Sequence, residues 1–233
     1  LKGLKAISPE TNYNFLDLGW NVRLLSDNQI KEAVQQARSS DLAILVVGEN
    51  SMRYHWNEKT CGENSDRYEL SLPGRQQELV EAVAATGVPT VVILVNGRPL
   101  TTEWIDENMP CIIEAWEPGV AGGQALAEIL YGKVNPSGKL PITIPRSTGQ
   151  IQCMYNHKFT NHWFPYATGN SLPLYEFGYG LSYTTYKYEN LKLSEATITP
   201  DKSVKVTVDV TNTGKMDGEE TVQLYIRDEY SSA

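Results

Sequence analysis

The apolar positions of this chain follow two regimes. Up to about residue 131, continuous apolar runs alternate with runs at helical spacing; from Tyr186 onward, apolar and polar residues alternate singly. The continuous runs are Leu42-Ala43-Ile44-Leu45-Val46-Val47, Thr90-Val91-Val92-Ile93-Leu94-Val95 and Cys111-Ile112-Ile113-Glu114-Ala115-Trp116. They read as strands buried on both faces. Ile30, Ala33, Val34 and Ala37 recur at helical spacing, as do Leu79, Val80, Val83 and Ala84, and then Ala125, Leu126, Ile129 and Leu130. Ser26 with Gln29 three residues on is a capping box, which predicts a helix to about Arg38. Pro73 predicts the start of the next helix, where its missing N–H is harmless, and Gly87 its end. Shorter features are helical turns over 1–8 and near 101–107, strands at Tyr13-Asn14-Phe15-Leu16 and Ile142-Thr143-Ile144, and a turn through Asn135-Pro136-Ser137-Gly138-Lys139-Leu140-Pro141. The βαβαβα order predicts an α/β fold, mainly a parallel sheet with helices on both faces, an α/β sandwich.

From 145 to 180 no period is visible, and the segment is dense in Pro, Gly, Tyr, His and Trp. That aromatic content argues for a packed segment rather than a flexible linker. Beyond it, Val204, Val206, Val208 and Val210 alternate with polar residues, a turn follows at Asn212-Thr213-Gly214, and 220–227 alternates again through Val222, Leu224 and Ile226. This predicts about three antiparallel strands with one buried face, the start of a truncated antiparallel β-sandwich. The expected division is 1–183 for the α/β part with its connecting segment and 184–233 for the partial second domain.

Composition is ordinary for a globular chain, 41% hydrophobic and 21% charged over 233 residues. The net charge of −8 argues against nucleic acid and polybasic membrane contact as partners. No apolar run approaches membrane-spanning length. The chain opens on Leu1 rather than Met, so residues upstream of it are expected. Cys61, Cys111 and Cys153 are widely spaced, with no CxxC pair, and read as two buried thiols and one loop thiol.

Candidate chemistry narrows by elimination. The chain has no GxxxxGK[ST], no GxGxxG after a strand, no HExxH and no GxSxG, and its three histidines lack metal spacing. No cofactor and no metal are expected. What remains is the loop after the first strand, too long for an ordinary βα connection. It carries Glu49, Glu58 and Glu63 among Arg53, Arg67, His55 and Trp56, at the strand end where α/β sites collect. Gly122-Gly123 before a helix reads as close backbone packing or an anion seat, the former preferred.

Several runs then resemble glycoside hydrolase family 3. They are Gly62-Glu63-Asn64-Ser65-Asp66-Arg67, Leu70-Ser71-Leu72-Pro73-Gly74 with Gln77-Glu78-Leu79, and Asn96-Gly97-Arg98-Pro99-Leu100. Ala115-Trp116-Glu117-Pro118-Gly119 with Gly122-Gly123, the 135–141 run and the 173–183 run continue the match in order. Val210-Thr211-Asn212-Thr213-Gly214 and Val222-Gln223-Leu224-Tyr225 look like the fibronectin-III-like domain that follows. The resemblance implies a (β/α)8 barrel absent from this chain, the α/β sandwich without its first strand, and the first strands of the fibronectin-III-like domain. It implies a retaining exo-acting β-glycosidase, β-glucosidase-like, whose aspartate nucleophile lies in the barrel. The partners it implies are that barrel and a β-linked oligosaccharide or an aryl or alkyl glycoside. It favours a periplasmic or secreted location. By motif the acid/base is Glu63; where family members often carry Gly-Glu-Gly-Tyr-Asp-Arg, Asn64-Ser65 stand in for Gly-Tyr.

The remaining loop residues have two readings each. Met52, Tyr54 and Trp56 form an aglycone platform or simply pack the loop. Arg67 touches sugar or pairs with Asp66 or a loop carboxylate. Glu58 is the second choice for acid/base, with an exposed salt bridge as its plainer role. Glu49 orients the loop by hydrogen bonds or takes part in catalysis, the former preferred, and Arg98 braces the loop. His157, His162 and Trp163 reach toward a barrel or pack locally. Two alternatives to β-glucosidase stay open: a β-xylosidase of the same family, and a noncatalytic carbohydrate-binding module.

Overall fold

The computed structural model describes residues 1–51, 56–150, 153–156 and 166–230. Three strands, β1 (Ala43–Gly48), β2 (Thr90–Val95) and β3 (Cys111–Glu114), form a parallel sheet in the order β1-β2-β3. Register runs from Ala43↔Thr90 to Gly48↔Val95 and from Val91↔Cys111 to Leu94↔Glu114. β3 ends two residues earlier than its apolar run, because Trp116 turns to a positive φ of 50°.

Helices α1 (Lys2–Ile7), α2 (Asp27–Arg38), α3 (Gln76–Ala84), α4 (Glu103–Asn108) and α5 (Gly122–Leu130) surround the sheet. The capping box of α2 is present: Gln29 N donates to Ser26 Oγ, and Ser26 N to Gln29 Oε1. α3 starts at Gln76, not at Pro73. Gly74 takes φ 62° beside the backbone of Arg23, and that left-handed residue delays the helix.

Strands that follow one another in space, each joined by a right-handed crossover, send their helices to the same side. One core packs Val47, Leu72, Val80, Val92, Leu94, Leu100 and Ile105 together; a second joins Leu25, Ile30, Ala33 and Ala37 to Leu79 and Val83. Both lie on the sheet face of Leu45, which packs against each. Burial of each Val, Leu or Ile side chain among them contributes roughly 1.5–3 kcal/mol. On the opposite face Ile93 is buried but Val46 is 64% exposed, so cover is lacking at the β1 edge.

The inward face of α5 differs from the periodic reading. Ala127 is buried while Ala125 is exposed, because α5 packs on α1, where Gly3 meets the Gly123 carbonyl and the Ala127 Cβ. Of the Gly122-Gly123 pair, Gly122 serves close packing, since a Cβ there would strike Pro118, whereas a Cβ on Gly123 would meet open space.

Other short elements are corrected. Residues 13–16 form no strand; Tyr13 uses its hydroxyl to reach Leu4 O, Ser8 O and Tyr131 instead. Ile144 makes a single antiparallel bridge with Tyr175 rather than a strand. The 135–141 run is extended, with Leu140 paired to Tyr179 O and Gly178 N. Of the three expected strands after 184, two are formed, β4 (Tyr186–Leu193) and β5 (Val206–Asn212), paired antiparallel. Residues 220–227 have no ladder, and their apolar face is bare: Leu224 is 68% and Ile226 93% exposed. With no second sheet against them among the described residues, alternation alone buries nothing.

Asn135 joins the two parts. Its Oδ1 accepts from Ser182 Oγ and Tyr183 N, and its Nδ2 donates to Asp217 O. The described ends of the aperiodic segment are fixed as expected of a packed segment. Arg146 pairs with Glu103 and donates to Leu172 O, and Gln150 donates to Ser171 O.

Candidate active site

β1 ends at Gly48, whose φ of 143° and contact with the Val95 carbonyl leave no room for a Cβ. Gln76 of α3 grips this residue in both directions, accepting from Gly48 N at 2.8 Å and donating to Gly48 O at 2.7 Å. Glu49 is therefore delivered to a fixed point, its N–H bonded to Val95 O and its side chain wholly buried. From there the chain runs out into the loop and returns at Thr60 and Cys61, whose N–H groups both donate to Asn50 O.

The loop's charged residues separate into buried and exposed sets. Arg67 Nη1 lies 3.1 Å and Arg98 Nε 3.3 Å from the same oxygen, Glu49 Oε1. The Arg98 contact is an ion pair rather than an aligned hydrogen bond. Arg67 Nη2 also donates to Ser71 O and Arg98 Nη2 to Ser65 O. Lys59 is buried; its Nζ donates to the backbone carbonyl of Glu63 and sits 3.4 Å from the centre of the Trp56 ring. Glu63 itself is exposed, and its carboxylate makes no hydrogen bond or ion pair among the described residues. Gly62 at φ 88° and Asn64 at φ 55° turn the chain sharply on either side of it.

Glu58 faces away, accepting from Asn21 Nδ2, while Arg23 holds the neighbouring Asn57 carbonyl. Arg67 has both guanidinium arms committed to Glu49 and Ser71. Trp56 is half exposed with Lys59 on its ring. Met52, Tyr54, His55, His157, His162 and Trp163 lie outside the described residues.

A cavity of about 680 Å³ opens at the carboxyl ends of the strands, lined among others by Trp20, Glu49, Asn50, Val95 and Glu117. Beside it, the Cys61 thiol donates to Glu117 Oε1; burial first, then the charges of Glu49 and Glu117, push it up to about 12. It is therefore a poor nucleophile. Glu114, at the end of β3, is held by Asn96 Nδ2 and Trp116 N, yet burial pushes its carboxyl up to about 7. Among the described residues, no cluster of His, Cys, Asp and Glu could hold a metal ion.

A family model described as the glycosyl hydrolase family 3 C-terminal domain matches residues 1–183. The chain belongs to glycoside hydrolase family 3. A β-xylosidase of Formosa agariphila is 42% identical over the whole of this chain and 32% of its own length. A periplasmic β-glucosidase of Salmonella typhimurium is 42% identical over 85% of the chain and 26% of its own length. The solved structure of a β-glucosidase from Erythrobacter marinus matches with a TM-score of 0.80 at 39% identity, over 96% of this chain and 30% of that one. A β-glucosidase from Listeria innocua in complex with isofagomine matches with a TM-score of 0.75 at 29% identity, over 84% of the chain and 28% of that one. The chain thus spans about a third or less of the length of these relatives.

Within this family 3 chain, the departure from the common Gly-Glu-Gly run has a local explanation. Asn64 adopts the left-handed conformation that Asn tolerates best after Gly. Sequence reasoning missed two residues. Lys59 in a polar loop gives no sign that it is buried, since burial there follows no period. Thr148, whose Oγ1 accepts from Leu70 N, lies 78 residues away in the aperiodic segment.

Proposed function

We propose that this chain is part of a retaining, exo-acting β-glycosidase and supplies its acid/base, Glu63. The observation that carries this is the contrast within the loop. Of its four glutamates, Glu49 is buried in ion pairs and Glu58 is held by Asn21, whereas Glu63 and Glu69 are exposed with their carboxylates uncommitted, and of these two only Glu63 sits on a turn set by Gly62 and Asn64 and held by Lys59 at its own carbonyl. Retention needs a second carboxyl group about 5–5.5 Å away as nucleophile. We place that aspartate in a (β/α)8 barrel elsewhere in the full-length protein, which packs over the exposed loop and closes the cleft. Glu63 then protonates the leaving oxygen and next deprotonates the water that frees the glycosyl-enzyme.

The substrate read from the family is a terminal β-glucoside; the β-xylosidase relative, matched over the whole chain, keeps β-xylosides as the second reading. Trp56 offers an aromatic edge for the aglycone. Residues 184–230 are read as the opening of a fibronectin-III-like domain, and the periplasmic relative favours export from the cytoplasm. No helix among the described residues is long and apolar enough to cross a membrane.

The test is Glu63→Ala in the full-length enzyme, assayed on aryl β-glucosides of graded leaving ability. The kcat/KM for poor leaving groups is expected to fall about 10²–10⁴-fold, with azide restoring turnover of activated substrates as the glycosyl azide. A loss independent of leaving group, or none, rejects Glu63 as the acid/base.

A further inference from the structure

Two guanidinium groups from different loops meet at one carboxylate oxygen. Arg67 belongs to the loop after β1 and Arg98 to the turn after β2, and both approach Glu49 Oε1, at 3.1 and 3.3 Å. Like charges so close to one atom stay together only while that atom carries negative charge. Each arginine spends another nitrogen on a backbone carbonyl of the Glu63 loop: Arg98 on Ser65 O at 2.6 Å, Arg67 on Ser71 O at 2.7 Å. Ser65 N in turn donates to Gly62 O, closing the tight turn that holds Glu63. The base of this arrangement is rigid. Glu49 follows a strand end clamped by Gln76, its N–H is bonded to Val95 O, and its side chain is wholly buried.

We propose that Glu49 is a positioning residue, whose charge holds the Glu63 turn at catalytic register through Arg67 and Arg98. The inference rests on the reading of Glu63 as acid/base. A loop held only by its own turns would let the carboxylate wander, and a displacement near 1 Å costs on the order of 100-fold in rate. Anchoring to the ends of β1 and β2 ties Glu63 to the part of the molecule least able to shift. A buried ion pair kept only for stability would have no such link to the Glu63 turn.

The experiment uses the full-length enzyme with Glu49→Gln, which keeps shape and an acceptor but removes the charge, and with Glu49→Asp. We expect Glu49→Gln to lower kcat/KM for alkyl and phenyl β-glucosides about 10–100-fold. For the dinitrophenyl glucoside, whose departure needs little acid, the change should stay within about threefold. Glu49→Asp should recover part of the loss. Arg98→Gln, which removes the Ser65 tie together with one of the two cations on Glu49, should show the same dependence on leaving group, and serves if Glu49→Gln does not fold. In a Glu63→Ala background Glu49→Gln should add little, since the two act through one group. Equal losses across all leaving groups, or full additivity with Glu63→Ala, would overturn the proposal. If Glu63→Ala itself shows no dependence on leaving group, the acid/base reading fails. If it does and neither Glu49→Gln nor Arg98→Gln does, only the positioning role fails.

Discussion

At the scale of single residues, identical side chains take opposite roles according to where the backbone leaves them. Glu49 and Glu63 are fourteen positions apart in one loop. One is sealed beneath two arginines; the other stands in the open between two left-handed residues. Glu114 is a third case, a largely buried carboxyl raised to about 7, with two hydrogen bonds and no ion pair among the described residues. Its linkage sign follows directly. An unfolded glutamate loses its proton near 4.5, while the folded one keeps it to about 7. The native state therefore binds more protons between those values, and stability is full below about 4.5 and falls as pH rises through 7. The shift corresponds to roughly 3 kcal/mol at most. Glu114→Gln, which stays neutral, should flatten this trend: its melting temperature relative to the parent should rise between pH 5 and 8. A parallel pair of melting curves across that range would contradict it. Residue roles of this kind were only half legible in the sequence. The Glu63 turn was marked by its motif, whereas the convergence of Arg67 and Arg98 joins positions 31 apart, which no spacing rule connects.

At the scale of elements, the strands and the capped helix α2 were readable because each rests on local chemistry: continuous apolar runs and a Ser–Gln capping box. Boundaries failed where a distant backbone intervened. α3 is delayed by Gly74 against Arg23, and α5 is rotated from its expected face by α1. Gly48 shows the same coupling at the end of β1. A Cβ there would overlap the Val95 carbonyl, and φ 143° is strained for any side chain. Gly48→Ala should therefore destabilise the fold by more than about 2 kcal/mol, read as a lower denaturation midpoint. Because the strand end carries Glu49, the damage should extend to activity in the folded fraction.

At the scale of the whole molecule, the proposal makes the face at the ends of β1, β2 and β3 one wall of a site. It offers an exposed carboxylate, Glu63, and an open cavity lined by Glu49 and Glu117, on a chain about a third or less as long as its family 3 relatives. Expressed alone, these 233 residues should release no aryl alcohol from β-glucosides or β-xylosides above background; substantial hydrolysis by the purified chain would refute the division of catalytic groups between this part and a barrel. What the sequence determined by itself is the parallel α/β succession, the family, and the long loop proposed to carry the acid/base. Those depend on residue periodicity and on contiguous motifs, both written along the chain. Only tertiary structure decided that two cores meet at Leu45, that the 220–227 face lies bare, and that Glu49 is buried against Arg67 and Arg98 while Glu63 is exposed. Those depend on which surfaces meet across tens of residues, and a carboxylate's burial and partners are fixed by that meeting rather than by its neighbours in sequence.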